Sequence, residues 1–343
     1  NPTLKEKIII GDGLKKSTSN IVTSNTPKPQ KLYTKQGNMK KIKIPKGRKP
    51  SILFISDVKG WAWWIKSEYL KKYLSDEFDI SLVCVVGPES TPYDRINQTK
   101  YDFYFTYGYS YIDFLYRVPK FKKATGITAH RDKRIIFPKM KIAGHVHANS
   151  MMLLRELHDM GFKNAYYVPN GVDEKLFVPT QPLKKEGQLV VGHVGKETPL
   201  KGQQQFILPA IKKAGVSSST NLRTYKDKLP HNEMPMIYNQ MDVFVVASSE
   251  DGTPNPALEA AACGRPIISN RIGNMPEFIK DGWNGFIVPK KVEAYVEKIN
   301  YFKNNRDELV RMGRNARKTV EKDWTWKKQS EYYRKMFRNI FER

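Results

Sequence analysis

Short, uninterrupted apolar runs recur from residue 51 onward. Each closes on a polar or glycine turn and gives way to a stretch of helical period, and this leaves few folds open. "SILFISD" (51–57), "ISLVCVV" and "DFYFTY" in the first half, and "QLVVGHVG" and "MDVFVVAS" in the second, are apolar on both faces rather than alternately. A strand of that kind has no face to give to water, so it belongs in a parallel sheet covered by helices. Between the runs, "GWAWWIKSEYLKKYLSDEF" places apolar residues at helical spacing from Trp61 to Leu74. "KGQQQFILPAIKKAG", "VEAYVEKINYF", "RDELVRMGRNARKTVEKD" and "WTWKKQSEYYRKMFRNIF" read as further helices. The alternation predicts an α/β protein with a Rossmann-like beginning. A chain of 343 residues has room for two such domains, the second starting near Gln188.

Residues 1–50 do not share the pattern. They mix Lys, Ser, Thr, Asn and Pro, and hold 13 Lys/Arg against 2 acidic residues, a net +11. They read as a basic N-terminal arm or linker extended over a neighbour. The whole chain carries a formal +25, a balance suited to an anionic partner such as nucleic acid, acidic lipid or acidic glycan. Its two cysteines, Cys84 and Cys263, lie inside apolar runs, which argues against a disulfide framework or zinc site and for buried thiols. His145 and His147 alternate as in a strand, but no carboxylate is spaced to complete a metal site with them. No run of 18 apolar residues occurs, so no segment reads as a membrane span. No signal peptide is visible, and a chain starting at Asn1 reads as trimmed or as part of something longer. The expected location is the cytoplasm or the inner face of a membrane.

The chemistry concentrates in "MDVFVVASSEDGTPNPALEAAACG" (241–264), a strand, loop and helix in succession. Asn255 is suited to cap the helix and Pro256 to open it, where its missing N–H costs nothing. The backbone N–H groups of Thr253, Asn255, Ala257 and Leu258 are then expected to converge on one spot that favours an anion, most simply a phosphate. Glu259 lies just inside the helix, and Asp251 eight positions before it on the loop. A carboxylate there can accept two vicinal hydroxyls, as from a ribose.

The stretch "EDGTPNPALEAAACGRPII" resembles the donor-binding signature of retaining GT-B glycosyltransferases of family 4. In that family two glutamates are separated by seven residues, then follow an Ala/Met-rich helix and Gly-x-Pro. Here the second is Glu259, while Asp251 stands at the first position with Glu250 one place earlier. "VGHVGKETPLKG" resembles the family's Gly-Arg…Lys-Gly segment, with Gly195, Lys196 at the arginine position and Lys201 at the lysine position. "YVPNGVDEKLFVP" (167–179) resembles the hinge between domains. "HANSMMLLREL" resembles a helix entry capped by Asn149 and Ser150, "LPHNEMPMIYNQMDVFV" the segment before the signature strand, and "WTWKKQSEYYRKMF" the closing helix. The likeness covers roughly residues 50–343.

The resemblance implies an α/β GT-B fold, with two Rossmann-like domains facing a central cleft and a C-terminal helix returning to the first domain. The implied division is an arm over 1–50, an acceptor domain over 51–175 joined by 325–343, and a nucleotide-sugar-binding domain over 176–324. It implies retaining sugar transfer from a nucleotide-sugar, UDP- or GDP-linked, with no cofactor and no metal. Lys196 and Lys201 would neutralise the donor diphosphate. Asp251 would hold the sugar hydroxyls and Glu259 the ribose, with Gly252, Thr253, Pro254, Asn255, Ala257 and Leu258 lining the donor. His130 in "GITAHRDKRIIF" would stand beside the transferred sugar, with Arg131 next to it. "SDVKGWAWW" supplies cleft candidates Asp57, Lys59, Gly60, Trp61 and Trp64. Of Trp61, Trp63 and Trp64, one or two are expected to be buried and at least one near the cleft. The segment between Gly202 and Leu229 is more compact than the family's, so base recognition is not legible. The implied acceptor is a glycan or a lipid-linked molecule, with residues 111–141, nine Lys/Arg against two Asp, as an interfacial patch. The alternatives are a modified DNA base, as for viral enzymes, and a catalytically weak module that binds a sugar nucleotide.

Overall fold

A computed structural model describes residues 40–222 and 229–342. The first half runs β1 (Ile42–Lys43), β2 (Ser51–Val58), α1 (Ala62–Leu74), β3 (Asp79–Val86), β4 (Phe103–Thr106), β5 (Lys123–Ile127), α2 (Lys133–Ile142), β6 (His145–Ala148), α3 (Met151–Asp159) and β7 (Tyr166–Tyr167). Six of these strands form a parallel sheet in the order β3-β2-β4-β5-β6-β7. The apolar run of β2 is buried from Ile52 to Ser56, as a strand without a solvent face requires.

The second half runs β8 (Val190–Gly195), α4 (Leu208–Ala214), β9 (Ser217–Leu222), α5 (Met234–Asn239), β10 (Val243–Val246), α6 (Asn255–Ala262), β11 (Ile267–Asn270), α7 (Met275–Phe278), β12 (Gly285–Val288), α8 (Val292–Asn304), α9 (Arg306–Thr319), α10 (Trp326–Ile340) and β13 (Phe341–Glu342). Its sheet is also parallel, in the order β12-β11-β10-β8-β9. In each sheet the chain goes first to one side of a strand and then to the other, reversing between β2 and β4 and between β8 and β10. Ligands of such sheets bind where the strand order reverses, outside the carboxyl ends. The loops after β2, β8 and β10 open at those points.

The chain passes between the two sheets twice, and the passages touch. Val172 N–H donates to Trp324 O at 2.9 Å, and Trp326 N–H donates to Val172 O at 3.2 Å. Gly171 is required there, since a Cβ would lie 2.7 Å from the Trp326 backbone. Helix α10 then packs on the first sheet. The Phe337 ring lies 5.9 Å from Phe54 and 5.4 Å from Phe78, and Tyr333 Oη–H donates to Val168 O at 2.9 Å. Truncating Phe337 to alanine would cost about 3–5 kcal/mol.

The expected arm corrects at its end. From residue 40 the chain belongs to the first domain, while residues 1–39 lie outside the described residues. β1 pairs in parallel with β13, and Ile42 is buried. Arg48 makes two hydrogen bonds to Asp102, at 2.7 and 2.9 Å. The partners lie about 300 and 54 positions away along the chain, so the local composition carried no sign of them.

Candidate active site

The signature helix α6 is short and rich in alanine because it is sunk into the second domain. Ala257, Leu258, Ala260, Ala261 and Ala262 are all buried, and side chains of this size let the helix approach its neighbours closely. Gly264, at φ +77°, turns the chain out of it. The expected capping is corrected. Asn255 is itself the first helical residue, preceded by Pro254, and its Oδ1 accepts from Asn170 Nδ2 at 2.8 Å instead of bonding the helix amides. Asn170 Oδ1 in turn accepts from Lys66 Nζ at 2.6 Å. A relay of three side chains therefore joins α1, the interdomain crossing and the signature helix. At the other entry, Ser150 is the cap of α3, accepting from Leu153 N–H at 3.3 Å, and Asn149 is not.

Of the four amides expected to converge on an anion, those of Asn255 and Ala257 are turned elsewhere. Asn255 N–H donates to Thr253 O and Ala257 N–H to Pro254 O, both at 2.9 Å, because the prolines fold the loop back on itself. Gly252 N–H donates to Thr128 O in the first domain, again at 2.9 Å. A Cβ on Gly252 would lie 2.1 Å from Asn149 Oδ1 and 2.5 Å from Thr128 O. Gly252 is thus one of the points where the two domains touch. Thr253 adds a hydroxyl that donates to Asn149 O at 3.2 Å. The side chains of Ala257 and Leu258 belong to the core, not to a donor surface.

Lys201 and Asp251 meet. Nζ lies 2.8 and 2.7 Å from the two carboxylate oxygens. The lysine is set by a tight turn at Pro199–Lys201 and by Gly202 at φ +67°, where a Cβ would come 2.3 Å from Ala247 O. Glu259 stands on the other side of the α6 entry and accepts from Tyr238 Oη–H at 2.5 Å. Lys196 Nζ lies 4.7 Å from the centre of the Trp61 ring, a cation–π geometry.

Two adjoining cavities lie between the sheets. One, of about 200 Å³, is lined by Gly60, Trp61, Gly195, Lys196, Asn255 and Glu259, among others. The second, of about 260 Å³, is lined by Asn149, His193, Gly195, Lys201, Asp251, Thr253 and Pro254, among others. Ala62, Val194, Gly195, Asn255 and Pro256 border both, so the two form one cleft.

Several sequence candidates lie elsewhere. Lys59 is ion-paired with Glu89, both well exposed, and Asp57, Lys59 and Trp64 border neither cavity. His130 Nδ1 contacts Glu156, and Arg131 is ion-paired with Glu250 across the domains. Glu250 and Asp251 therefore point to different partners. Trp61, Trp63 and Trp64 are all part-buried and none is fully buried, because they are spread around the first turn of α1. Trp63 rests on the rings of Tyr107 and Tyr111. His145 and His147 are buried in β6, each with Nε2 on a backbone carbonyl. Burial lowers their pKa values to about 4 and about 3.

Sequence reasoning missed four polar groups at the cleft or at the junction of the domains. Lys66 is buried, with its pKa lowered to about 7 by desolvation. Tyr238 holds Glu259, and His193 lines the Lys201–Asp251 cavity. Glu277 of α7 reaches the first domain, accepting from Met151 N–H at 2.6 Å and from the Tyr167 hydroxyl. Burial of its carboxyl pushes its pKa up to about 7. None of the four carried a local signal, unlike Asn170, which stands in the Pro-Asn-Gly turn.

Residues 210–319 match the family model described as glycosyl transferases group 1. Spore coat protein SA of Bacillus subtilis is 31% identical over 102 residues, 29% of this chain and 27% of that protein. The MMP alpha-(1->4)-mannosyltransferase of Mycolicibacterium hassiacum is 25% identical over 190 residues, 47% of this chain and 45% of that protein. The chain thus matches between about a quarter and under half of the length of these relatives. Among solved structures, sucrose-phosphate synthase from Thermosynechococcus elongatus superimposes with a TM-score of 0.69 at 15% identity, over 85% of this chain and 99% of that one. Anabaena Alr3699/HepE, in complex with UDP and glucose, does so with a TM-score of 0.65 at 16% identity, over 84% and 99%. The chain has the GT-B glycosyltransferase fold, and its residues 210–319 carry the sequence pattern of glycosyl transferases group 1.

Proposed function

We propose that this chain is a retaining, metal-independent glycosyltransferase that moves a sugar from a UDP- or GDP-linked donor to a glycan or lipid-linked acceptor. The observation that carries the reading is the placement of Lys201, Asp251 and Glu259 around one cleft at the reversal points of two parallel sheets. The donor would lie across both cavities, ribose toward Glu259 and sugar toward Asp251. Its diphosphate would draw Lys201 away from Asp251 and free the carboxylate for sugar hydroxyls. Lys196 and Lys201 would then face the leaving diphosphate, where fixed positive charge is worth most as the bond breaks. The acceptor oxygen would attack the anomeric carbon on the face from which the phosphate departs. That phosphate would take the acceptor's proton, which retains the configuration. Asn149, Asn170 and Asn255 would shape the site between the domains.

The partner surface is assigned to residues 111–141. Tyr116 and Ile135 are exposed there among basic side chains, a mixture suited to an anionic interface. Among the described residues no helix is long and apolar enough to cross a membrane.

The test is a calorimetric and thermal-shift screen against UDP- and GDP-sugars in EDTA, followed by NMR of the product anomer. Binding and transfer in EDTA with retained configuration is the expected result. Inverted product or a strict metal requirement would overturn the mechanism. Cosedimentation with anionic vesicles at low salt tests the acceptor side. Salt-sensitive DNA binding without vesicle binding would move the acceptor to nucleic acid.

A further inference from the structure

His193 stands on β8, two residues before the Gly195 turn, and is 4% exposed. Its ring stacks at 6.0 Å on Phe244. Nδ1 lies 2.9 Å from Val245 O. A carbonyl can only accept, so the proton sits on Nδ1 and the neutral ring presents a bare lone pair at Nε2. No protein group among the described residues bonds that atom, although a buried polar atom is ordinarily satisfied. The residue borders the same cavity as Lys201 and Asp251, and both are close enough to act on its charge. Burial, aided by Lys201, lowers its pKa and keeps the ring neutral. Nε2 is itself buried, and a Cβ at position 195 would sit 3.2 Å from it, so glycine keeps a side chain from crowding that atom.

We infer that His193 Nε2 accepts a hydrogen bond from a hydroxyl of the donor's sugar and so helps decide which sugar is taken. A neutral acceptor cannot serve a phosphate, whose oxygens also only accept, and no apolar group gains from it. A sugar hydroxyl is the donor group that a nucleotide-sugar would bring into this cavity. Asp251 faces the same space, so the two residues would read two hydroxyls of one ring. A site built to bond a hydroxyl discriminates against analogues that lack it. The inference rests on the proposed donor reading.

The experiment compares nucleoside diphosphate with nucleotide-sugar, using calorimetry with UDP and UDP-glucose and with GDP and GDP-mannose. His193→Phe keeps the ring volume and removes the acceptor. His193→Asn places an amide N–H where Nδ1 was, keeping the Val245 bond, while its Oδ1 stops at the place of the ring Cδ2, so no acceptor stands where Nε2 was. Both variants should bind the free diphosphate within about twofold of the wild type. Both should bind the sugar-bearing donor about 3- to 10-fold more weakly, the loss of one hydrogen bond. Equal loss for both ligands would show a structural role, and no selective loss would show no role, either result overturning the inference. If the wild-type protein binds none of the four, the donor reading itself fails.

Discussion

Lys201 Nζ bonds both carboxylate oxygens of Asp251, at 2.8 and 2.7 Å, across 50 residues of sequence. The pair joins the turn after β8 to the loop after β10, so each residue fixes the other's loop. Both groups are part-buried, so the pair is less screened than one on an open surface. Lys201→Ala should lower transfer about 10²- to 10³-fold, the usual cost of losing one group that stabilises developing charge. Circular dichroism and the melting temperature should show the fold intact. Near-normal kcat/KM would remove Lys201 from the reaction.

Gly252 makes one of the close contacts between the domains, and its replacement tests that contact. In Gly252→Ala the new methyl would press on Asn149 Oδ1, Thr128 O and Leu153. Overpacking of this kind costs about 1–3 kcal/mol. Urea unfolding should show the loss, and small-angle scattering should show a wider spacing of the two domains.

Asn170 holds the buried Lys66 ammonium on one side and Asn255 on the other. Asn170→Ala should cost about 2–4 kcal/mol, since it leaves a buried charged donor without its acceptor. The loss should be smaller at pH 9 than at pH 6. Lys66 has a pKa lowered to about 7, so it is neutral in the fold at the higher pH and costs less to leave unpaired. Equal losses at both pH values would contradict this.

Glu277 gives the interdomain contact a pH dependence. Its pKa is raised from 4.5 to about 7 in the fold, so the folded protein holds a proton that the unfolded chain has released. Its contribution is full below about pH 4.5 and is lost as pH rises through about 7. Chemical denaturation from pH 5 to 8 should show the wild type losing on the order of 1–3 kcal/mol relative to Glu277→Gln. Parallel pH profiles would contradict the assignment.

The strands were legible because β2, β3, β4, β8 and β10 are apolar without alternation, and only a sheet covered on both faces hides such runs. Asp251, Glu259, Lys196 and Lys201 were legible as a set through their resemblance to a known signature. The arrangement around them was not. Asn255 looked like a cap because its neighbours are prolines, yet its side chain is taken by Asn170, 85 residues earlier. Gly252 was expected to line the donor, yet its N–H is taken by Thr128 O of the first domain. His193, Tyr238 and Glu277 sit in segments whose apolar pattern alone explains them; their polar ends meet Val245, Glu259 and, across the domains, Met151 and Tyr167, none of which is near them in sequence. Local sequence records periodicity and turn chemistry; it does not record which distant polar group arrives.

The most direct test of the account is calorimetric titration of UDP- and GDP-sugars into the wild-type protein and Glu259→Ala. At least one nucleotide-sugar should bind the wild type. The variant should bind it at least about tenfold more weakly, having lost a charged hydrogen-bond acceptor, while its melting temperature stays within a few degrees. Failure of every nucleotide-sugar to bind, or equal binding by Glu259→Ala, would contradict the assignment of this cleft.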